Sequence, residues 1–98
     1  MNLSDMQKSV GKASALLRAL ANERRLMILC QLVEGEKTVG ALAENLDIAQ
    51  AMISQQLSIL RREQLVCFRR EGQSIYYRLD HPAAAGILQV LYDSYCPK

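Results

Sequence analysis

The sequence has no tryptophan, one histidine, one phenylalanine and two prolines in its 98 residues. The sequence shows no nucleophile–base–acid set, and only one histidine is on hand to serve in one. No glycine-rich phosphate loop is present either, so the chain is expected to be neither an enzyme nor a cofactor carrier. No apolar run is long enough to span a bilayer. The N-terminus MNLSDMQKSVGK lacks the basic, apolar, small-residue order of a secretory signal. A cytoplasmic protein with no membrane partner is therefore expected. Cysteine is sparse: Cys30, Cys67 and Cys96 are too widely and irregularly spaced for a secreted disulfide framework, and are expected to be thiols at rest.

What is present is a globular composition, with 50% apolar residues. It suits one domain over residues 1–98, of a size that is marginal unless well packed or oligomeric. The net charge of +2 is mild but unevenly spread. Positive and negative residues cancel over 1–47. Over 48–79, Arg61, Arg62, Arg69, Arg70 and Arg78 stand against only Glu63 and Glu71. That middle block is where a polyanion would bind.

Met6, Val10, Ala13, Leu17 and Leu20 recur at helical spacing and predict an amphipathic helix over about 5–20. Asn22 is the expected cap of a second helix, with Leu26, Leu29, Cys30 and Val33 on one stripe, ending at Gly35. Thr38 caps a short third helix that turns Val39, Leu42, Ala43 and Leu46 inward. After a break at Asp47–Ile48, a fourth helix buries Ile53, Leu57 and Leu60. LVCFRREGQSIYYRL then reads as a β-hairpin around Glu71-Gly72-Gln73. Asp80 and Pro82 open a last helix as N-cap and early-turn proline, with Ala84, Ile87, Leu88, Leu91 and Tyr95 on its apolar stripe. Tyr92 and Tyr95 are expected to hold its end against the body by their apolar faces, leaving Cys96 at the edge before Pro97.

The order α-α-α-α-β-β-α is mainly helical with one small hairpin, the plan of a winged helix-turn-helix. In that geometry the second helix of the pair enters the major groove of double-stranded DNA. Gln50, Ser54 and Gln55 lie on its polar side, and glutamine can bond adenine through two contacts. Gln56, Ser58 and Arg61 complete the expected DNA-facing set on that helix. Arg69, Arg70, Gln73 and Ser74 on the hairpin would meet phosphate or the minor groove. Any one of these arginines alone reads as a solvated surface charge. The combination of a small polar helix face followed by a basic hairpin is more specific.

ALANERRLMILCQLVEGEKTVGALAENL, SQQLSILRREQLV and RREGQSIYYRL resemble the ArsR/SmtB family of winged-helix regulators over nearly the whole chain. The resemblance implies a homodimer built from the first and last helices on a pseudo-palindromic operator. Ala49 and Ala51 stand where that family commonly has serine, Gln56 where it has histidine, and Gln64 where it has glycine. These departures bear on operator sequence and affinity, not on the fold.

Members of the family release DNA on sensing a ligand, often a metal. No cysteine falls near KTVGAL, where arsenic and cadmium sensors carry theirs. The last helix offers only Asp80 and His81, short of the paired histidines and carboxylates of a zinc sensor, so no metal site is expected. His81 reads as an exposed helix-start residue. Cys67 reads as structural or incidental, and Cys30 taken alone as a small buried apolar residue. Yet ILCQL and YCP resemble the sulfur-responsive branch of the family, the HlyU-, BigR- and SqrR-type regulators. In that branch a second-helix and a last-helix cysteine form the sensing dithiol, which here implies Cys30 and Cys96. Persulfide, polysulfide or oxidant would then bridge the pair and weaken operator binding. Arg24 and Arg25 are candidates for lowering a thiol pKa. Within the same fold, a metal- or general redox-responsive repressor and a ligand-independent anti-silencing activator are the competing readings.

Overall fold

A computed structural model describes residues 1–97. Five helices and one hairpin follow the expected order: α1 Leu3–Leu20, α2 Glu23–Val33, α3 Val39–Leu46, α4 Gln50–Arg62, β1 Val66–Glu71, β2 Ser74–Leu79 and α5 Pro82–Tyr95.

Side-chain caps set most helix starts, each accepting from a backbone N–H that has no partner within its helix. Asn2 Oδ1 takes Ser4 N–H at 2.9 Å, Asn22 Oδ1 takes Arg25 N–H at 3.1 Å, and Thr38 Oγ1 takes Ala41 N–H at 3.1 Å. For α5 the cap differs from expectation. His81, not Asp80, occupies the N-cap, its Nδ1 accepting from Ala84 N–H at 3.1 Å, and Pro82 takes the first helical position. Asp80 instead donates its backbone N–H to the Leu65 carbonyl at 2.9 Å, fixing the sheet to the end of α4.

Two helix ends turn through left-handed residues that are not glycine: Asp47 at φ 55 and Gln64 at φ 64. At the second, Leu65 N–H reaches the Leu60 carbonyl at 2.9 Å and Gln64 N–H the Arg61 carbonyl at 2.9 Å. This is the Schellman pattern, closed by contact between two buried leucines. At the hairpin Glu71 pairs with Ser74, so Gly72 and Gln73 are the loop. Only Gly72 of the two has positive φ (60), as a type II′ turn requires. Lys37 and Tyr77 exchange N–H···O bonds of 3.0 and 2.9 Å, adding the α2–α3 loop to the edge of β2.

The core lies where α2, α3 and α4 converge beneath the hairpin. Ile28, Leu29, Leu42, Ile53, Leu57, Leu60 and Leu65 are fully buried there, with Ala84 and Leu88 of α5 joining them. The α2 stripe departs from expectation: Ile28, Leu29 and Leu32 face inward, while Cys30 and Val33 are exposed. At 100° per residue, Ile28–Leu29–Leu32 is the tighter arc, and the stripe through Cys30 lies on its flank. In α1 only Ala19 and Leu20 are buried, leaving Leu3, Met6, Val10 and Leu17 exposed. On α5, Val90, Tyr92 and Tyr95 are exposed. The tyrosines do not pack on this chain's body as expected.

Candidate nucleic-acid interface and thiol pair

Burial of Ile53, Leu57 and Leu60 fixes the roll of α4, and the opposite face is thereby set toward solvent. Gln50, Ser54, Gln55, Ser58 and Arg61 are all on that exposed face. Gln50, Ser54 and Gln55 make no side-chain hydrogen bond among the described residues, so their donors and acceptors are available. Ser58 Oγ donates back to the Ser54 carbonyl at 3.0 Å. The helix has Ala49 at its N-cap with no side-chain cap, and the N–H groups of Gln50 and Ala51 have no partner among the described residues, while Met52 N–H bonds the Ala49 carbonyl at 3.0 Å. Gln56 is placed differently: half-buried, it accepts from Arg25 Nη1 at 3.2 Å and ties α4 to α2.

Arg61 leaves the end of α4 over the Phe68 ring, Cζ to centroid 4.2 Å, linking the helix to the wing. On the wing the two arginines have opposite circumstances, because successive strand residues face opposite sides. Arg69 Nε donates to both Glu36 oxygens at 3.0 and 2.9 Å, and Nη1 to Glu71 Oε2 at 2.6 Å. Its guanidinium also lies 4.8 Å from the Tyr76 ring centroid. Arg70 is exposed and forms no ion pair among the described residues. Gln73 and Ser74 are exposed at and beside the tip. Sequence reasoning missed Glu36. It lies in the α2–α3 loop, 33 residues from its partner, where no local pattern reports it.

Cys30 on α2 and Cys96 at the end of α5 are both exposed free thiols, near enough for charge on Cys96 to be felt at Cys30. Cys96 is the C-cap of α5, its N–H donating to the Tyr92 carbonyl at 2.9 Å, with the chain already extended at φ −97, ψ 142. Partial burial pushes the Cys30 thiol up, and the nearby Cys96 pushes it further. The two thiols are thus close enough for charge on one to oppose ionisation of the other. Beside them a groove of about 390 Å³ runs between α2 and α5, lined by Cys30, Val33, Ala85, Leu88 and Tyr92 among others.

The expected help from arginine is not found. Arg25 spends its guanidinium on Ala19 O (2.7 Å), Arg18 O (3.2 Å) and Gln56, and Arg24 points its Nη1 at Met52 Sδ (3.5 Å). Both serve the α1–α2–α4 junction, so neither lowers the Cys30 pKa. Cys67 is half-buried on β1, its thiol pushed up chiefly by burial. Among the described residues no three His, Cys, Asp or Glu side chains converge as a metal site, and no helix is long and apolar enough to cross a membrane.

Residues 22–67, the span from the α2 cap to β1, match the family of bacterial regulatory proteins of arsR type. Over 96 residues the chain is 44% identical to the transcriptional activator HlyU of Vibrio cholerae, covering 98% of this chain and 89% of that one. The crystal structure of the transcriptional repressor BigR from Xylella fastidiosa superposes with a TM-score of 0.92 at 40% identity, covering all of both chains. A homodimeric winged helix-turn-helix DNA-binding domain from Mycobacterium bovis matches at 34% identity and TM-score 0.78, covering 93% of this chain and 88% of that one. Identity at this level over nearly whole chains, together with the family match over residues 22–67, makes this chain a member of the ArsR family of transcriptional regulators.

Proposed function

We propose that this regulator is a homodimer that binds a pseudo-palindromic operator when its thiols are reduced and leaves it when Cys30 and Cys96 are bridged. The juxtaposition of these two cysteines, one on α2 and one capping α5, carries the reading.

Dimerisation is supported by unpaired apolar surface. A compact monomer of this mass exposes roughly 5,600 Å², whereas this chain exposes 6925 Å². Leu3, Met6, Val10 and Leu17 on α1 and Val90, Tyr92 and Tyr95 on α5 supply apolar side chains to that excess. About 800 Å² per partner is enough for a stable interface. The Mycobacterium bovis relative is itself homodimeric. Two-fold pairing would set two copies of α4 into successive major grooves, about 34–36 Å apart. Gln50, Ser54 and Gln55 then read base edges, Ser58 and Arg61 support them, and Arg70, Gln73 and Ser74 carry the wing onto the backbone.

The bridging chemistry balances without a cofactor. A cysteine thiolate attacks the sulfane sulfur of a hydropersulfide, giving a protein persulfide and releasing the thiol. The second cysteine attacks the protein-bound sulfur and expels sulfide, closing a disulfide, with the sulfane sulfur taking the two electrons. When both cysteines carry a sulfane sulfur, the terminal sulfur of one attacks the inner sulfur of the other. Sulfide leaves and a trisulfide remains. Either link ties α5 to α2, which is packed against α4, and a coupling of about 1–3 kcal/mol changes operator affinity roughly five- to 150-fold.

The test treats reduced protein with polysulfide or with peroxide, maps the product by intact and peptide mass, and titrates an operator selected from random duplexes by the reduced protein. The expected product is an intramolecular Cys30–Cys96 link with weakened binding that dithiothreitol restores. Absence of the link, or equal binding by the linked form, overturns the reading.

A further inference from the structure

The wing places two adjacent arginines on its first strand and then neutralises only one of them. Arg69 is engaged by two carboxylates from different parts of the chain. Glu36 accepts from its Nε through both oxygens at 2.9–3.0 Å, and Glu71 accepts from its Nη1 at 2.6 Å. The Tyr76 ring backs the guanidinium at 4.8 Å. One positive charge between two negative ones gives the Arg69 cluster itself a net negative charge, while Arg78, exposed toward the base of β2 on the same face, stands outside it. An isolated exposed ion pair would exchange readily with a phosphate. A guanidinium held by two carboxylates over an aromatic platform meets a phosphate against like charge instead. Arg70, on the opposite side of the strand, has no such partners among the described residues.

We propose that Glu36 and Glu71 are positioning residues that hold Arg69 off DNA, so that Arg70 is the cationic phosphate contact beside the wing tip and the affinity of the regulator for DNA of any sequence stays limited. This rests on the wing facing DNA. A wing with both arginines free would add one phosphate contact per protomer irrespective of sequence. Non-specific binding is almost wholly of that kind, so the clamp restrains occupancy of non-operator DNA.

The experiment measures Kd against salt for the full-length reduced protein, on selected operator and on random duplex, with folding checked by circular dichroism. The variants are R69Q, R70Q, E36Q, E36Q/E71Q and E36Q/E71Q/R69Q. R70Q is expected to flatten the slope of log K against log salt by about 0.9 per wing, and R69Q to leave it nearly unchanged. E36Q/E71Q should steepen the slope by about 0.9 per wing and tighten both duplexes by up to roughly eightfold per wing at 0.1 M salt, with E36Q between. Adding R69Q to that pair should abolish the gain, which separates release of Arg69 from a mere change of net charge. A gain that survives without Arg69 overturns the clamp. So does an R69Q loss equal to that of R70Q, or no gain in E36Q/E71Q. An unchanged slope in R70Q refutes the assignment of the phosphate contact to Arg70, and an unchanged slope in both R70Q and E36Q/E71Q refutes contact of the wing tip with DNA.

Discussion

Replacing Arg25 with alanine tests the junction on which the helix-turn-helix is mounted. Its guanidinium donates to the Ala19 carbonyl at 2.7 Å, the Arg18 carbonyl at 3.2 Å and Gln56 Oε1 at 3.2 Å. The first two acceptors belong to the last turn of α1, where carbonyls have no partner within the helix. The third belongs to α4. A net hydrogen bond contributes about 1 kcal/mol, somewhat more from a charged donor and somewhat less in contact with water. R25A should therefore cost about 2–3 kcal/mol, which lowers Tm by roughly 10–20 °C for a domain of this size. Q56A removes only one of the three bonds and should cost about 1 kcal/mol. Because that bond is lost in either variant, R25A/Q56A should be less destabilised than the sum by about 1 kcal/mol. Lysine at 25 keeps the charge but lacks the planar fork, and should recover only a small part. Urea unfolding followed by circular dichroism, at one fixed protomer concentration, gives all four values. An R25A cost below about 0.5 kcal/mol, or no coupling to Gln56, would refute the view that this guanidinium joins α1, α2 and α4.

Gln64 holds φ 64 at the end of α4. A left-handed non-glycine residue costs about 1–2 kcal/mol, offset in part by the greater unfolded freedom of glycine, so Q64G should stabilise by about 0.5–1 kcal/mol. An unchanged urea midpoint at equal m-value contradicts that. Ala49 leaves α4 uncapped, and A49S should add about 1 kcal/mol by accepting a first-turn N–H; a lower midpoint would show that serine does not adopt the cap here. Cys30, whose pKa is raised, carries less thiolate at a given pH than an ordinary thiol. In C67S its alkylation by iodoacetamide should therefore rise at a higher pH than that of a free thiol. C67S/C96S should move the midpoint down, yet not to the free value, because burial is the larger cause. A midpoint at or below that of a free thiol refutes this ordering.

The helix-turn-helix was legible because local signals carried it. Thr38, the 53–57–60 spacing and Gly72 each act within a few residues, and the order of elements follows from them. What sequence could not supply came from contacts across the fold. The arc of α2 differs from the sequence reading because Leu26, Leu29, Cys30 and Val33 make an acceptable helical stripe, and packing against α1, α3, α4 and β2 selects Ile28, Leu29 and Leu32. The α5 cap went to Asp80 by residue preference, but the backbone N–H of Asp80 is bound to Leu65 across the sheet, and His81 takes the position. Glu36, which grips Arg69, and Gln56, which meets Arg25, are 33 and 31 residues distant from them. A charge tally therefore registers Arg69 as a free cation and misses the carboxylates of Glu36 and Glu71 that engage it.

The two hydrogen bonds between Lys37 and Tyr77 have a mechanical meaning. They make the segment leaving α2 a third rib of the sheet, so the hairpin is not a flag on a free hinge. A turn of α2 about its axis passes directly into β2, with Glu36 and its grip on Arg69 carried along. The hairpin and the α2–α3 segment are thus one mechanical unit, and neither can be displaced without straining the two bonds that join them.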